Sequence, residues 1–306
     1  MNNQKTDREQ KRALLYSLLG DLPAPPAVIK EVSKKATAPK KYLLEELSLK
    51  LNPGDPVDAF FVKPLDTEGK LPTVIFSHTH GGVYQLGKSE LLKSIPSMCK
   101  TPYAEALTGL DCNIIAIDHL GFESRSQRTE TDIFKEKLWY GQNLWGLMVY
   151  DSLRIVDYLH QRPDVDTDRI AALGMSMGST MSWWLTALDK RVKLCIDICC
   201  LTDFTTLLQN NDLKEHGIYY YVPALLKYFS TADINSLIAP RAHLALAGIY
   251  DKLTPVKGLD IIDNKLKKIY QDCGAENNWR LSRYKCAHQE TEAMRREIIN
   301  FIKSKL

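Results

Sequence analysis

The chain has 306 residues, a length that one hydrophobic core can still organise, since single cores stop growing at roughly 250–300 residues. Hydrophobic residues make up 44% and charged residues 25%, close to the globular average, which excludes a disordered or fibrous chain. Its 40 basic and 37 acidic residues leave a formal charge of +3. Basic pairs (Lys34-Lys35, Lys40-Lys41, Lys267-Lys268, Arg295-Arg296) are dispersed among acids, which excludes a nucleic-acid footprint.

Taken in chain order, Lys5 to Gly20 is predicted helical, because Leu14, Leu15, Leu18 and Leu19 recur at helical spacing and Gly20 can close the last turn. Its first dozen residues are too charged for a secretory signal, and no apolar run in the chain reaches membrane-spanning length, so no membrane partner and a cytoplasmic location are expected. The segment 1–41 is expected to stay with its own domain. After a proline-rich connection, Leu43–Leu51 and Val57–Val62 read as strands joined by the turn Asn52-Pro53-Gly54-Asp55-Pro56, an antiparallel pair at one sheet edge.

The pattern then changes to short, mostly apolar strands separated by helices: Thr73–Ser77, Asn113–Asp118, Arg169–Gly174, Leu194–Ile198, Leu244–Gly248 and Trp279–Tyr284. Strands buried on both faces imply a mostly parallel, doubly wound α/β sheet with right-handed crossovers. Trp145–His160 carries a strong apolar stripe and is predicted to be one of the covering helices. The long gap from Leu201 to Pro240 is rich in aromatics and reads as a helical, lid-like insertion. Its aromatics either pack on the core or also line an acyl pocket. The whole is expected to be a single domain, 1–306.

Gly174-Met175-Ser176-Met177-Gly178 follows one predicted strand and opens a helix, Ser179 to Leu188. A serine on so sharp a turn needs neighbours without Cβ atoms, and the turn pushes its hydroxyl out of the sheet. A serine hydroxyl is a poor nucleophile, so it needs a base, and the base needs a third group that fixes its tautomer. Asp251 lies just beyond the strand Leu244–Gly248, and His288, the only histidine after it, follows the last strand. The candidate catalytic residues are therefore Ser176, Asp251 and His288.

His78 and His80 flank Thr79 after the strand Thr73–Ser77 and lead into Gly81-Gly82, a turn able to present amides to a developing oxyanion. The Met177 and His80 backbone amides are the candidate donors. His-x-His is also a metal-ligand spacing, but no downstream Asp-His follows at the spacing metallohydrolases use, Asp118-His119 would have to arrive from another strand, and no metal or other cofactor is expected. Among the remaining histidines, His119, His160 and His243 read as structural, whereas His216 in the insertion is a candidate substrate contact, as are Tyr219 and Tyr220. Seven cysteines without C-x-x-C spacing read as reduced thiols, Cys286 included. Of Trp183 and Trp184, at least one should be core.

With these motifs placed, the chain resembles the dienelactone hydrolase-like and acetyl xylan esterase-like branch of the α/β-hydrolases. The resemblance runs through the serine turn, His78-Thr79-His80-Gly81-Gly82, Asp118 to Arg125, Arg162-Pro163-Asp164-Val165-Asp166, Ile238-Ala239-Pro240-Arg241 and His288-Gln289-Glu290-Thr291. It implies an α/β-hydrolase fold and an esterase or deacetylase acting on small acyl groups, with Ser176, Asp251 and His288 as its triad. Ser176 replaces the cysteine of the namesake enzyme, so lactone chemistry is not implied. The same triad could serve a peptidase or amidase, and the fold could serve a ligand-binding protein, although no triad member is missing. The expected partners are a small-molecule ester and, on the protein side, at most further copies of this chain.

Overall fold

A computed structural model describes residues 2–38 and 41–306, so Lys40 of the second basic pair lies outside them. The chain opens with helix α1 (Asn2–Ser17) and strands β1 (Lys30–Thr37), β2 (Leu43–Lys50), β3 (Val57–Lys63) and β4 (Leu71–Ser77). Helix α2 (Tyr103–Thr108), strand β5 (Asn113–Ile117) and helices α3 (Glu130–Trp139) and α4 (Leu144–Gln161) follow. Strand β6 (Val165–Met175) then leads into α5 (Met177–Leu188) and β7 (Leu194–Ile198). The insertion carries α6 (Phe204–Asn210), α7 (Leu225–Tyr228) and α8 (Thr231–Ser236). Strand β8 (Ala242–Gly248), helix α9 (Val256–Asp272), strand β9 (Trp279–Tyr284) and helix α10 (Glu292–Lys305) complete the chain.

The strands form one sheet in the order β1-β2-β3-β5-β4-β6-β7-β8-β9. Its first four strands pair antiparallel and the remainder parallel. The α/β sheet with an antiparallel amino-terminal end is thus as the sequence implies, with one correction. The pair β2–β3 is not the edge; β1 is. Its sequence, KEVSKKAT, has no buried position, so apolar alternation gave no signal for it. Lysines on an exposed edge strand also discourage pairing with another chain.

Alternate residues of each central strand feed two apolar layers. In β6, Ile170 and Ala172 face a layer containing Trp145, Met148, Trp183, Leu259 and Leu266 of α4, α5 and α9. Ala171 and Leu173 face the opposite layer, with Tyr103, Leu107, Met294, Ile298 and Phe301 of α2 and α10. Trp183 and Trp184 are both fully buried, so neither reaches a pocket.

Helix α1 packs on its own domain, with Leu15 and Leu19 in the first layer. Leu14, expected on the same stripe, is instead partly exposed. The Arg8 guanidinium donates to the Ala239 carbonyl (2.7 Å), and Arg12 donates to those of Ala187 (2.9 Å) and Leu237 (2.7 Å). Gly20 ends this segment with φ of +88°, where a Cβ would lie 2.6 Å from the Gly141 carbonyl oxygen.

Candidate active site

Parallel strands deliver their carboxyl ends to one edge of the sheet, and the loops there carry Ser176 after β6, Asp251 after β8 and His288 after β9. Ser176 has φ 58° and ψ −118°, a conformation that costs a side-chain-bearing residue about 1–3 kcal/mol. Two contacts hold it: its amide donates to the Ile198 carbonyl (2.9 Å), and its carbonyl accepts from the Thr180 amide (3.1 Å). The flanking glycines are required by close approach. A Cβ on Gly178 would lie 1.9 Å from the Ser77 carbonyl oxygen, and one on Gly174 would lie 2.4 Å from the Gly178 backbone.

Asp251 is buried, and its Oδ1 accepts from the Leu253 amide (2.9 Å). Its Oδ2 lies 2.8 Å from His288 Nδ1. That pairing puts the neutral ring's proton on Nδ1 and leaves Nε2 as the basic nitrogen. The loop bearing His288 is tied down from below by Glu290. This buried carboxylate accepts two 2.7 Å bonds from Arg295, one from the Tyr103 hydroxyl (2.5 Å) and one from the Cys99 amide (3.2 Å). Cys286 is buried beside it as a free thiol.

Across the edge, the segment after β4 is fixed residue by residue. The buried His78 ring lies 2.8 Å from the Thr79 carbonyl oxygen through Nδ1 and accepts from the His119 amide at Nε2 (3.2 Å). Burial pushes the His78 and His119 rings below their ordinary pKa, which favours their uncharged forms. The Thr79 amide and hydroxyl are committed to Glu90, at 3.1 and 2.8 Å. Burial raises the Glu90 carboxyl to about 7 against those stabilising bonds. The His80 and Met177 amides, by contrast, have no hydrogen-bond acceptor among the described residues. Beyond them, Lys88 joins Asp118 (2.7 Å) and Glu123 (2.8 Å), which pins the two loops to each other.

The insertion closes over this edge. The Tyr219 ring stacks on His80 (centroids 5.2 Å apart), and Tyr220 packs on His216 (5.4 Å) and Phe204 (5.4 Å). Both tyrosines are buried, whereas His216 is half-buried with an Nε2 that has no hydrogen-bond partner among the described residues. Burial lowers the pKa of His216, opposed by the Leu253 backbone and the nearby Asp251 carboxylate. Tyr220 also walls a cavity of about 460 Å³ lined by Phe204, Leu208, Leu213 and Leu225.

Sequence reasoning missed Glu90, Glu130 and Lys88, which carry no motif and meet the site only through the fold. His243, read from the sequence as a structural strand-start residue, is the second residue of β8. This ring is wholly buried and bonds Asp197 at 2.6 Å, with the Cys195 thiol close by. Cys195, Asp197 and His243 are the described residues whose ligand atoms converge as if on a metal ion. A separation of 2.6 Å is a direct hydrogen bond; two ligands about 2.1 Å from one tetrahedral ion would stand farther apart.

No family model matches the chain. It is 43% identical over 295 residues to the protein named "Putative hydrolase YtaP" of Bacillus subtilis (strain 168), covering 96% of this chain and 98% of that one. The chain belongs to the family of YtaP. Among solved structures, the fold matches a glucuronoyl esterase from Solibacter usitatus with a TM-score of 0.72 at 15% identity, over 97% of this chain and 92% of that one. It also matches an acetyl xylan esterase from Paenibacillus sp. R4 with a TM-score of 0.62 at 17% identity, over 97% and 93%. At such low identity the likeness establishes the fold. No helix among the described residues is long and apolar enough to cross a membrane.

Proposed function

We propose that the protein is a serine hydrolase that cleaves carboxylic esters of small acyl groups through an acyl-enzyme. The observation that carries this reading is the 2.8 Å Asp251–His288 bond at the same sheet edge as a serine on a positive-φ turn. His288 Nε2 takes the Ser176 proton as Oγ attacks the ester carbonyl, a step in which a positioned base contributes roughly 10²–10⁴-fold. The Met177 and His80 amides receive the oxyanion, where one lost donor typically costs about 3–4 kcal/mol. His288 then gives its proton to the departing alcohol. In the second half it takes a proton from water, whose oxygen enters the released acid while Ser176 regains its hydrogen.

The names of the two solved structures, both ester hydrolases, favour an ester over an amide. The Nε2 of His216, buried and without a hydrogen-bond partner among the described residues, makes that ring the leading candidate to meet the substrate's polar end. The test is initial-rate hydrolysis of p-nitrophenyl esters from acetate to octanoate, run beside Ser176→Ala. Turnover that falls by about 10⁴-fold or more in the variant is expected. Activity surviving the substitution would overturn Ser176 as nucleophile. Failure of the unmodified protein both to hydrolyse any ester and to be labelled at Ser176 by an organophosphonate would overturn the esterase reading.

A further inference from the structure

Glu130 opens α3, far in sequence from every residue assigned above, yet its carboxylate is buried against the oxyanion side of the site. Among the described residues its one ionic partner is the His80 ring, whose Nε2 lies 3.1 and 3.3 Å from the two carboxylate oxygens. The Tyr84 hydroxyl adds a 3.3 Å bond. Burying a carboxylate is a poor source of stability, because its desolvation costs several kcal/mol and its contacts here offset that only in part.

The geometry points to Glu130 as a positioning residue for the oxyanion donor, an inference that rests on the proposed role of the His80 amide. The local backbone is intrinsically loose. Gly81 and Gly82 follow His80 at φ of +51° and +69°, and a Cβ on Gly82 would meet nothing within 4 Å, so packing does not hold the glycine half of the turn. Its internal bonds are Val83 N–H to the His80 carbonyl (3.1 Å) and Gly82 N–H to His80 Nδ1 (3.1 Å). The second bond makes the His80 ring part of the turn. With Nδ1 accepting, the ring proton sits on Nε2 and is donated to Glu130.

Glu130 therefore anchors the turn to α3 through the ring, and the ring's orientation fixes where the adjoining amide points. Tyr219 stacks on one face of the ring, and Phe122 and Tyr84 meet it edge-on, each at 5.3 Å. The neighbouring residues His78 and Thr79 are already held by His119 and Glu90, so residue 80 is the remaining free joint. A preorganised donor accelerates reaction because it needs no reorganisation as charge develops, and a donor on a swinging glycine turn loses that advantage.

The test compares Glu130→Ala, Glu130→Met, which keeps the packing without an acceptor, and Glu130→Gln, whose amide oxygen can still take the His80 proton. The first two should lower kcat on a p-nitrophenyl ester by about ten- to a hundredfold with KM within about threefold, and should slow organophosphonate labelling in parallel. Glu130→Gln should stay within about threefold of the unmodified enzyme. Hydrogen exchange over residues 78–84 should accelerate in the Ala and Met variants alone. Unchanged kcat and exchange in Glu130→Met, or an equal loss in Glu130→Gln, would overturn the inference. An unmodified protein that neither hydrolyses nor labels would instead sink the esterase reading, and the exchange comparison would still decide whether Glu130 holds the turn.

Discussion

At the residue scale, the site is built from groups whose burial and bonding are decided one at a time. Glu90 shows this best. Its carboxyl titrates near 7 in the folded protein, above the ordinary value of 4.5, with burial as the main cause. Between those values the folded state holds a proton that the unfolded state has released. Stability from this group is therefore fully present below about pH 4.5 and is lost as pH rises through about 7, by about 3 kcal/mol at most. The melting temperature should fall over this range in the unmodified protein, and Glu90→Gln should flatten the fall. An identical pH profile in both proteins would show that Glu90 is ionised throughout. Nothing in the sequence around Glu90 announces this, because an acid between Ser89 and Leu91 looks like any surface carboxylate until the fold sets Thr79 against it.

At the element scale, a few side chains hold helices to strands, and Arg241 carries the most. Its guanidinium donates to the carbonyls of Thr186, Asp189, Val192, Leu237 and Ile238, at 2.6 to 3.1 Å. These acceptors are the last turn of α5, the approach to β7 and the end of α8. Arg241→Met keeps much of the volume but leaves several inward-facing carbonyls unpaired, each costing about 1–3 kcal/mol where water cannot reach it. A loss of about 3–5 kcal/mol in urea unfolding is expected. A change below about 1 kcal/mol would mean that water replaces the guanidinium. The sequence shows Arg241 only as the end of Ile-Ala-Pro-Arg. The strands β4 to β8 were legible because runs of apolar residues are the signature of strands buried on both faces, whereas β1 is exposed along its length and was not.

At the scale of the whole molecule, the carboxyl edge of one sheet gathers residues separated by more than half of the chain, and α1 is part of the body that holds it. Leu15 and Leu19 are fully buried, and a Cβ on Gly146 would lie 2.0 Å from the Leu19 carbonyl oxygen, so the turn that ends α1 is pressed against α4 while α1 itself packs on α5. Removing residues 2–22 would expose that apolar layer and the carbonyls capped by Arg8 and Arg12. The truncated chain should lose its single cooperative thermal transition or melt far below the full chain, as followed by circular dichroism. A truncation that melts at the same temperature would show that α1 adds nothing to the core.

The sequence by itself determined the α/β alternation, the serine turn with its two glycines, and the order serine, acid, histidine. All of these are local, because hydrophobic periodicity is set by strand and helix geometry, and Gly174 and Gly178 answer to a turn only a few residues long. Tertiary structure alone decided which carboxylates back the site. Glu90 meets Thr79, Glu130 meets His80, and Glu290 meets Arg295 and Tyr103. It also decided that Tyr219 lies on His80 and that Trp183 and Trp184 are both core. A buried carboxylate is defined by what surrounds it, and its partners come from elements that the sheet order, not the chain order, brings together.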